Sequence, residues 1–185
     1  MSTPEPAPSP TPPAETAERQ EFRQRMLLQM RARAGINWFY WVAGLTIINT
    51  IIFVTGNTPN YFLGLGVAQL VDSYTVTVAT GTQVAPLMRW VAAAIDVLLA
   101  GVFIIFGYRG QRSYRSWIVA GIVLYTLDGL IFLFFSVWLG VAFHAFVIYK
   151  LVQGMRAMDE LNQMGPPAPR APDGETRQPA STEPA

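Results

Sequence analysis

An apolar stretch of 36 residues, 117–152, constrains the fold of this chain more than any other feature of its sequence. As a single helix the stretch would be about 54 Å long, whereas the hydrocarbon core of a bilayer is about 30 Å thick. It must therefore turn back on itself. We predict the break at residues 136–138 (SVW), because serine competes for backbone hydrogen bonds and tryptophan prefers the membrane interface. The result is two spans, 117–135 and 137–152, joined by a tight hairpin.

Two other apolar stretches have the length of a membrane span, which takes about 20 residues. Residues 36–55 form the first. Residues 87–107 form the second, which begins just after a proline, a residue favoured at helix starts. The sequence therefore predicts an all-α integral membrane protein, a four-transmembrane-helix bundle. At 185 residues the chain has room for one domain, which we place at residues 35–156.

Basic residues flank the predicted spans on one side, and the other side has only Arg89 at its edge. On the first side lie Arg19, Arg23, Arg25, Arg31, Arg33, Arg109, Arg112, Arg115, Lys150 and Arg156. On the other side, residues 56–86 contain no lysine or arginine. Because basic residues remain on the cytoplasmic side of a membrane, we predict a multi-pass protein of a bacterial-type inner (plasma) membrane with both termini cytoplasmic. The chain opens with prolines and acids, so no cleavable signal peptide is expected.

The regions outside the spans divide into tails and one helix. Residues 1–14 are rich in proline and are predicted to be disordered, as is most of residues 157–185. Residues 15–34 predict a cytoplasmic amphipathic helix. Its narrow apolar stripe consists of Phe22, Met26 and Met30. Two interpretations of this helix stay open: it binds the anionic leaflet or a protein partner, or it is a juxtamembrane extension of the first span.

Between the first two spans lies an unusually apolar segment, residues 61–72 (YFLGLGVAQLVD). It is too short to cross a membrane, but Leu63, Val67 and Leu70 recur at helical spacing. We therefore predict a short interfacial or re-entrant helix. In residues 73–85 the alternating YTVTV run is typical of a strand. Because an isolated strand is not stable, we predict irregular structure there.

Four polar residues, one from each predicted span, lie at a similar depth: Asn49, Asp96, Asp128 and His144. Counted from the outer ends of their helices, all four lie about 10–15 Å below the outer surface. Since charged groups are costly in lipid, we expect them to face the bundle interior and to form one cluster. The hairpin brings the third and fourth spans together, so Asp128 and His144 are expected to touch. Accessory candidates are Tyr125, Asp72 and Arg89.

Three functions are compatible with this cluster. In the first, a non-enzymatic accessory or scaffold bundle, the polar residues hold helices together at about 0.6–2 kcal/mol for each hydrogen bond. In the second, they form a membrane site for a proton, a cation or a small polar ligand reached from the outer face. The third is a small intramembrane enzyme, which no catalytic motif in the sequence supports. The sequence favours the first function.

The composition limits cofactor and partner chemistry. The chain has no cysteine and one histidine, which excludes disulfides, thiolate metal sites and a bis-histidine haem. We expect no cofactor, and the sequence leaves metal binding at the cluster open. The expected partners are the lipid bilayer and a protein or second copy of the chain packed against the membrane helices. Nothing indicates nucleic-acid binding, because membrane orientation accounts for the arginines.

Overall fold

Six α-helices make up the part of the chain that this computed structural model describes, residues 13–55, 65–79, 81–112 and 115–166. They are α1 (Pro13–Ile36), α2 (Trp38–Val54), α3 (Gly66–Ala79), α4 (Ala85–Gln111), α5 (Arg115–Phe134) and α6 (Trp138–Gln163). Four stretches are long and apolar enough to cross a membrane: Ala17–Val54, which joins α1 and α2, and the helices α4, α5 and α6. The prediction of an all-helical chain with four helices able to span a membrane is confirmed, and the described ranges contain no strand.

The long apolar stretch breaks between α5 and α6, at the residues where the sequence predicted a hairpin. The backbone N–H of Val137 donates to the carbonyl of Phe132 at 2.9 Å, and that of Ser136 donates to Leu133 at 3.1 Å. These two bonds satisfy the last carbonyls of α5 in the pattern of a Schellman motif. Ser136 takes the left-handed position of that motif, with φ of 57°, where glycine is usual.

The fourth helix is longer than predicted, because α6 continues to Gln163 rather than ending near residue 152. Residues 157–163, predicted to begin a disordered tail, are therefore helical. The extension is explained by packing: α1 runs along the C-terminal half of α6. Gly35 and Gly154 meet there so closely that a Cβ built on Gly35 would lie 2.5 Å from the Cα of Gly154. The predicted tail segments 1–12 and 167–185 lie outside the described residues.

The side of α1 that packs on α6 is not the stripe singled out in the sequence. Its buried apolar residues are Leu28, Ala32 and Ile36. The predicted stripe, Phe22, Met26 and Met30, is exposed. Residues 15–34 are thus helical, as part of α1. Only a turn at Asn37 separates α1 from α2.

The segment between the first two spans is helical further along the chain than predicted. The sequence placed a short helix at residues 61–72 and irregular structure at 73–85, whereas α3 covers Gly66–Ala79 and includes the YTVTV run. Residues 61–64 lie outside the described part of the chain. The reason for the difference is packing against α4 and α5. Ala68, Asp72 and Thr75 are buried, and their spacing is that of one helix face rather than of a strand.

Aromatic side chains fill the bundle between α2, α4 and α5. Phe39 and Phe103 lie 6.1 Å apart, and Phe103 and Tyr125 lie 5.8 Å apart, measured between ring centroids. Most of the basic residues described above lie at one end of the bundle, which includes the C-terminus of α4, the start of α5 and the contact between α1 and α6. We call this the basic end, and the opposite end, where α3 packs, the α3 end.

Candidate functional site

Asp128 of α5 and His144 of α6 form a buried pair that holds the start of α3. His144 Nε2 lies 3.0 Å from Asp128 Oδ2, and the residues are 2% and 6% exposed. Asp128 also accepts the backbone N–H of Gly66 at 2.7 Å and that of Val67 at 2.8 Å. The first N–H groups of a helix have no partner within the helix, and a carboxylate there satisfies them. We call Asp128 and His144 the anchor pair.

Glycine at position 66 makes this contact sterically possible. A Cβ on Gly66 would lie 2.8 Å from the ring of Phe132 and 2.9 Å from the backbone oxygen of Asp128. Any larger residue would therefore push α3 away from α5. The His144 ring is fixed as well, because Tyr125 stacks on it with centroids 4.2 Å apart.

Hydrogen-bond geometry determines how many protons the anchor pair holds. His144 Nδ1 lies 2.9 Å from the Gly140 carbonyl, which can only accept, so Nδ1 carries a proton. The 3.0 Å contact between Nε2 and Asp128 Oδ2 needs a second proton between those atoms. The pair is then an imidazolium with a carboxylate, or a neutral imidazole with a carboxylic acid. In both forms it has no net charge, and each of its polar side-chain atoms has a partner.

Asp72 of α3 and Asp96 of α4 form a second buried group with incomplete hydrogen bonding. The residues are 5% and 1% exposed. One oxygen of each carboxyl, Asp72 Oδ1 and Asp96 Oδ1, is buried without a hydrogen-bond partner. We call Asp72 and Asp96 the open pair. A buried charge with an unsatisfied oxygen is costly, and neutralisation by a proton or a bound ligand removes that cost.

Thr50 of α2 contacts the other oxygen of the Asp96 carboxyl. The Thr50 hydroxyl lies 2.9 Å from Asp96 Oδ2 and also 2.9 Å from the Thr46 backbone oxygen. A hydroxyl has one proton to donate, and a backbone carbonyl has none. Thr50 therefore cannot donate fully to both oxygens at once, and the hydrogen bonding of the Asp96 carboxyl stays incomplete.

Asp72 belongs to the same electrostatic environment. Burial first, and the negative charge of Asp96 second, raise the pKa of Asp72 from 3.8 to about 7. Two buried donors also lack partners, the side-chain nitrogen Nε2 of Gln69 and the hydroxyl of Tyr125. Internal water molecules commonly satisfy unpaired buried groups of this kind.

The four residues that the sequence grouped together thus have different surroundings. Asp128 and His144 touch, whereas the hydrogen-bond partner of Asp96 is Thr50. Asn49 is buried in α2, next to Thr50 in sequence. Of the accessory candidates, Tyr125 stacks on His144 and Asp72 interacts with Asp96. The third, Arg89, has its guanidinium 5.5 Å from the centre of the Phe53 ring.

Sequence reasoning missed Thr50 and Gln69. Thr46 and Thr50 are spaced i, i+4 in the first span, which places them on one helix face, and this spacing was a usable signal. Gln69 offered none, because its position depends on how α3 packs. Within the described ranges, no group of three or more His, Asp or Glu side chains could hold a metal ion.

No family model, no curated protein and no solved structure matches this chain. Its function must therefore be inferred from the residues of the two pairs.

Proposed function

We propose that this chain is a membrane protein whose open pair, Asp72 and Asp96, binds and releases a proton near neutral pH. The proposal depends on one observation: each carboxyl has a buried oxygen without a partner. Two neighbouring buried carboxylates repel each other and lose much of their hydration, so a proton bound to one of them stabilises the pair. The pKa of Asp72, about 7, places the exchange of that proton in the physiological range.

The proposed orientation places the basic end in the cytoplasm of a plasma membrane or bacterial inner membrane, with both termini inside. It is supported by the basic residues at that end and by their absence from residues 56–86. The α3 end then faces outside, and the open pair exchanges protons with the outer side. Because the chain has no cysteine, a Gln83→Cys variant should react with an impermeant thiol reagent in intact cells. An Asn162→Cys variant should not, and the reverse pattern would refute this orientation.

The proton would act on α3, the helix shared by both pairs. The anchor pair holds Gly66 and Val67 at the start of α3, while Asp72 lies further along the same helix against α4. With a proton bound, the open pair can pack without repulsion between Asp72 and Asp96. When the proton leaves, like charges disfavour the same packing. Protonation would therefore change how α3 packs on α4 while its first turn stays held.

A second function, an accessory or scaffold bundle without a working site, is favoured by the anchor pair. Its polar side-chain atoms are satisfied, and its partners come from three helices. Polar contacts of this kind fix the packing of membrane helices. In that function the open pair would keep one protonation state throughout the physiological pH range.

Infrared titration of the purified full chain distinguishes the two functions, because a protonated carboxyl has its own C=O stretching band. We expect a band that disappears as the pH rises through about 7, the pKa of Asp72. Asp72→Asn should abolish this step, and Asp96→Asn should move it to lower pH by removing the like charge. Asp159→Asn, which alters an exposed ion pair with Arg115, is the control. A step that both open-pair variants leave unchanged would refute the proton site.

A further inference from the structure

A separate groove at the basic end has the chemistry of a phosphate-binding site. It has a volume of about 710 Å³ and lies between α1, the start of α2 and the C-terminal half of α6. This volume is within the range of about 300–1,000 Å³ that is typical of small-molecule sites. Its charged lining residues are Arg31, Lys150, Arg156 and Glu160. Three cations and one anion leave the groove with an excess of positive charge.

The two arginines of the groove are available for a ligand. Arg31 and Arg156 are exposed, and neither forms an ion pair within the described part of the chain. Other arginines at the same end are already engaged: Arg25 pairs with Glu21 at 2.7 Å, and Arg115 pairs with Asp159 at 3.3 Å. A planar guanidinium that lacks a carboxylate partner is well suited to phosphate oxygens.

The helices touch at the floor of the groove, where the lining residues are small. Gly35 of α1 faces Gly154 of α6 so closely that no side chain fits between the helices. Ala34 and Ala157 also line the groove. The long side chains of Arg31 and Arg156 therefore border a space that their own helices do not fill.

The groove borders an exposed aromatic surface. Trp38, one of its lining residues, packs edge-on against Phe146, with ring centroids 5.1 Å apart. The Lys150 ammonium lies 5.6 Å from the centre of the same Phe146 ring, and Phe146 is 44% exposed. Tryptophan and lysine at the end of a span are typical of the membrane interface. A ligand held here would thus have its charged part among the cations and its apolar part along the exposed ring.

We propose that this groove binds the phosphate headgroup of an anionic phospholipid from the leaflet at the basic end. Arg31, Lys150 and Arg156 contact the phosphate, and the first acyl carbons pass over Trp38 and Phe146. A free phosphate ion would use the cations but not the aromatic surface. A lipid headgroup uses both, which is why we assign the site to a lipid.

Native mass spectrometry of the full chain in a neutral detergent tests this proposal, with phosphatidylglycerol and phosphatidylcholine as probes. We expect one phosphatidylglycerol to remain bound at concentrations where phosphatidylcholine does not. The double variant Arg31→Gln/Arg156→Gln should weaken phosphatidylglycerol binding by about 25-fold, or about fivefold for each cation. The control Arg109→Gln/Arg112→Gln removes the same charge at the same end, outside the groove, and should change binding by less than about twofold.

Three results would overturn the proposal. Equal losses in the two double variants would mean general attraction by positive charge. Equal binding of the two lipids would mean that the headgroup charge is not recognised, and displacement of the lipid by inorganic phosphate would mean a site for a free anion. If the arginine variant does not fold, Glu160→Gln provides the same test. It removes the groove's acid and should tighten phosphatidylglycerol binding by about two- to fivefold, and unchanged binding would refute the site.

Discussion

The anchor pair and the open pair contain similar residues in the same bundle, yet they differ in how completely they are hydrogen-bonded. Asp128 accepts two backbone N–H groups and contacts His144. Asp72 and Asp96 each keep a buried oxygen without a partner. A satisfied buried carboxyl acts as a structural connection, whereas an unsatisfied one favours a proton or a ligand. This contrast is informative because α3 takes part in both pairs.

The difference arises from which part of α3 each carboxyl meets. Asp128 meets the first turn, whose backbone N–H groups have no partner within the helix. Asp72 and Asp96 meet at the middle of α3, where the backbone is already bonded within the helix. Only side chains and water can complete their hydrogen bonding there. The same residue type is therefore fully hydrogen-bonded at the helix end and incompletely hydrogen-bonded at the middle.

The largest effect is expected from removal of Asp128. Asp128→Ala leaves the N–H groups of Gly66 and Val67 and the His144 ring without their acceptor, at a cost of about 3–5 kcal/mol of unfolding free energy. Asp96→Ala should cost about 1 kcal/mol or less, because Thr50 keeps its bond to Thr46. Thermal unfolding of the two variants in detergent compares them directly. Equal losses would remove the distinction between the two pairs.

A double-mutant cycle extends this prediction to His144. His144→Ala should destabilise the bundle less than Asp128→Ala, because Asp128 keeps both bonds to α3. The double variant should cost less than the sum of the two single variants, with a coupling of about 1–3 kcal/mol. Additive losses would show that the 3.0 Å contact contributes nothing to stability.

The second prediction concerns the pH dependence that the open pair should give to stability. The pKa of Asp72 is raised from 3.8 to about 7 by burial and by Asp96, so the folded chain keeps a proton that the unfolded chain releases. The contribution of this proton to the free energy of unfolding is fully present below about pH 4 and is lost as the pH rises to about 7. Above that pH, Asp72 causes no further change. Between about pH 5 and pH 8 the loss should be on the order of 2–3 kcal/mol.

Unfolding measured across this pH range in the natural sequence and in two variants assigns the effect to Asp72. Asp72→Asn should flatten the pH dependence, since an amide does not titrate in this range. Asp159→Asn should leave it unchanged, because Asp159 pairs with Arg115 at the basic end, away from α3. Asp96 of α4, Asp128 of α5 and His144 of α6 also lie near α3. A dependence that survives Asp72→Asn would therefore contradict the assignment to Asp72.

The sequence predicted the anchor contact because it follows from a local constraint. Residues 117–152 are too long for one span, so the chain had to turn near Ser136, and a tight turn places α5 beside α6. The structure has that turn and the Asp128–His144 contact. The contact required no knowledge of how distant segments pack, and the grouping of these residues as a functional site stays a prediction.

The sequence did not predict the role of α3, because that role depends on long-range packing. Because residues 74–78 alternate like a strand, irregular structure was predicted there. Burial of Asp72 and Thr75 against neighbouring helices favours a helix instead. A small residue at position 66 favours close packing of this segment against the spans, but the sequence does not indicate that Asp128 is the residue that Gly66 approaches. Asp96 and Asp128 were grouped because they lie at a similar depth in their predicted spans. Depth alone does not indicate which helix faces meet.

The smallest effect should come from Gly66→Ala, which tests whether the two pairs are independent. The added Cβ would lie 2.9 Å from the Asp128 backbone oxygen and 2.8 Å from Phe132, so the first turn of α3 must move away from α5. We expect a cost of about 1–2 kcal/mol. The control is Gly44→Ala in α2, where a Cβ meets nothing within 4 Å. It should be neutral or stabilising by up to about 1 kcal/mol.

The pH dependence of Gly66→Ala then decides how α3 connects the pairs. If only its first turn moves, Asp128→Ala should cost less in this background than in the natural sequence, because the bonds to α3 are already weakened. Asp72, lying further along the helix, should keep its environment, and stability should still fall as the pH rises to about 7. If the pH dependence disappears instead, α3 moves as one rigid body. The anchor pair and the open pair would then form a single site, in which loosening one pair changes the proton affinity of the other.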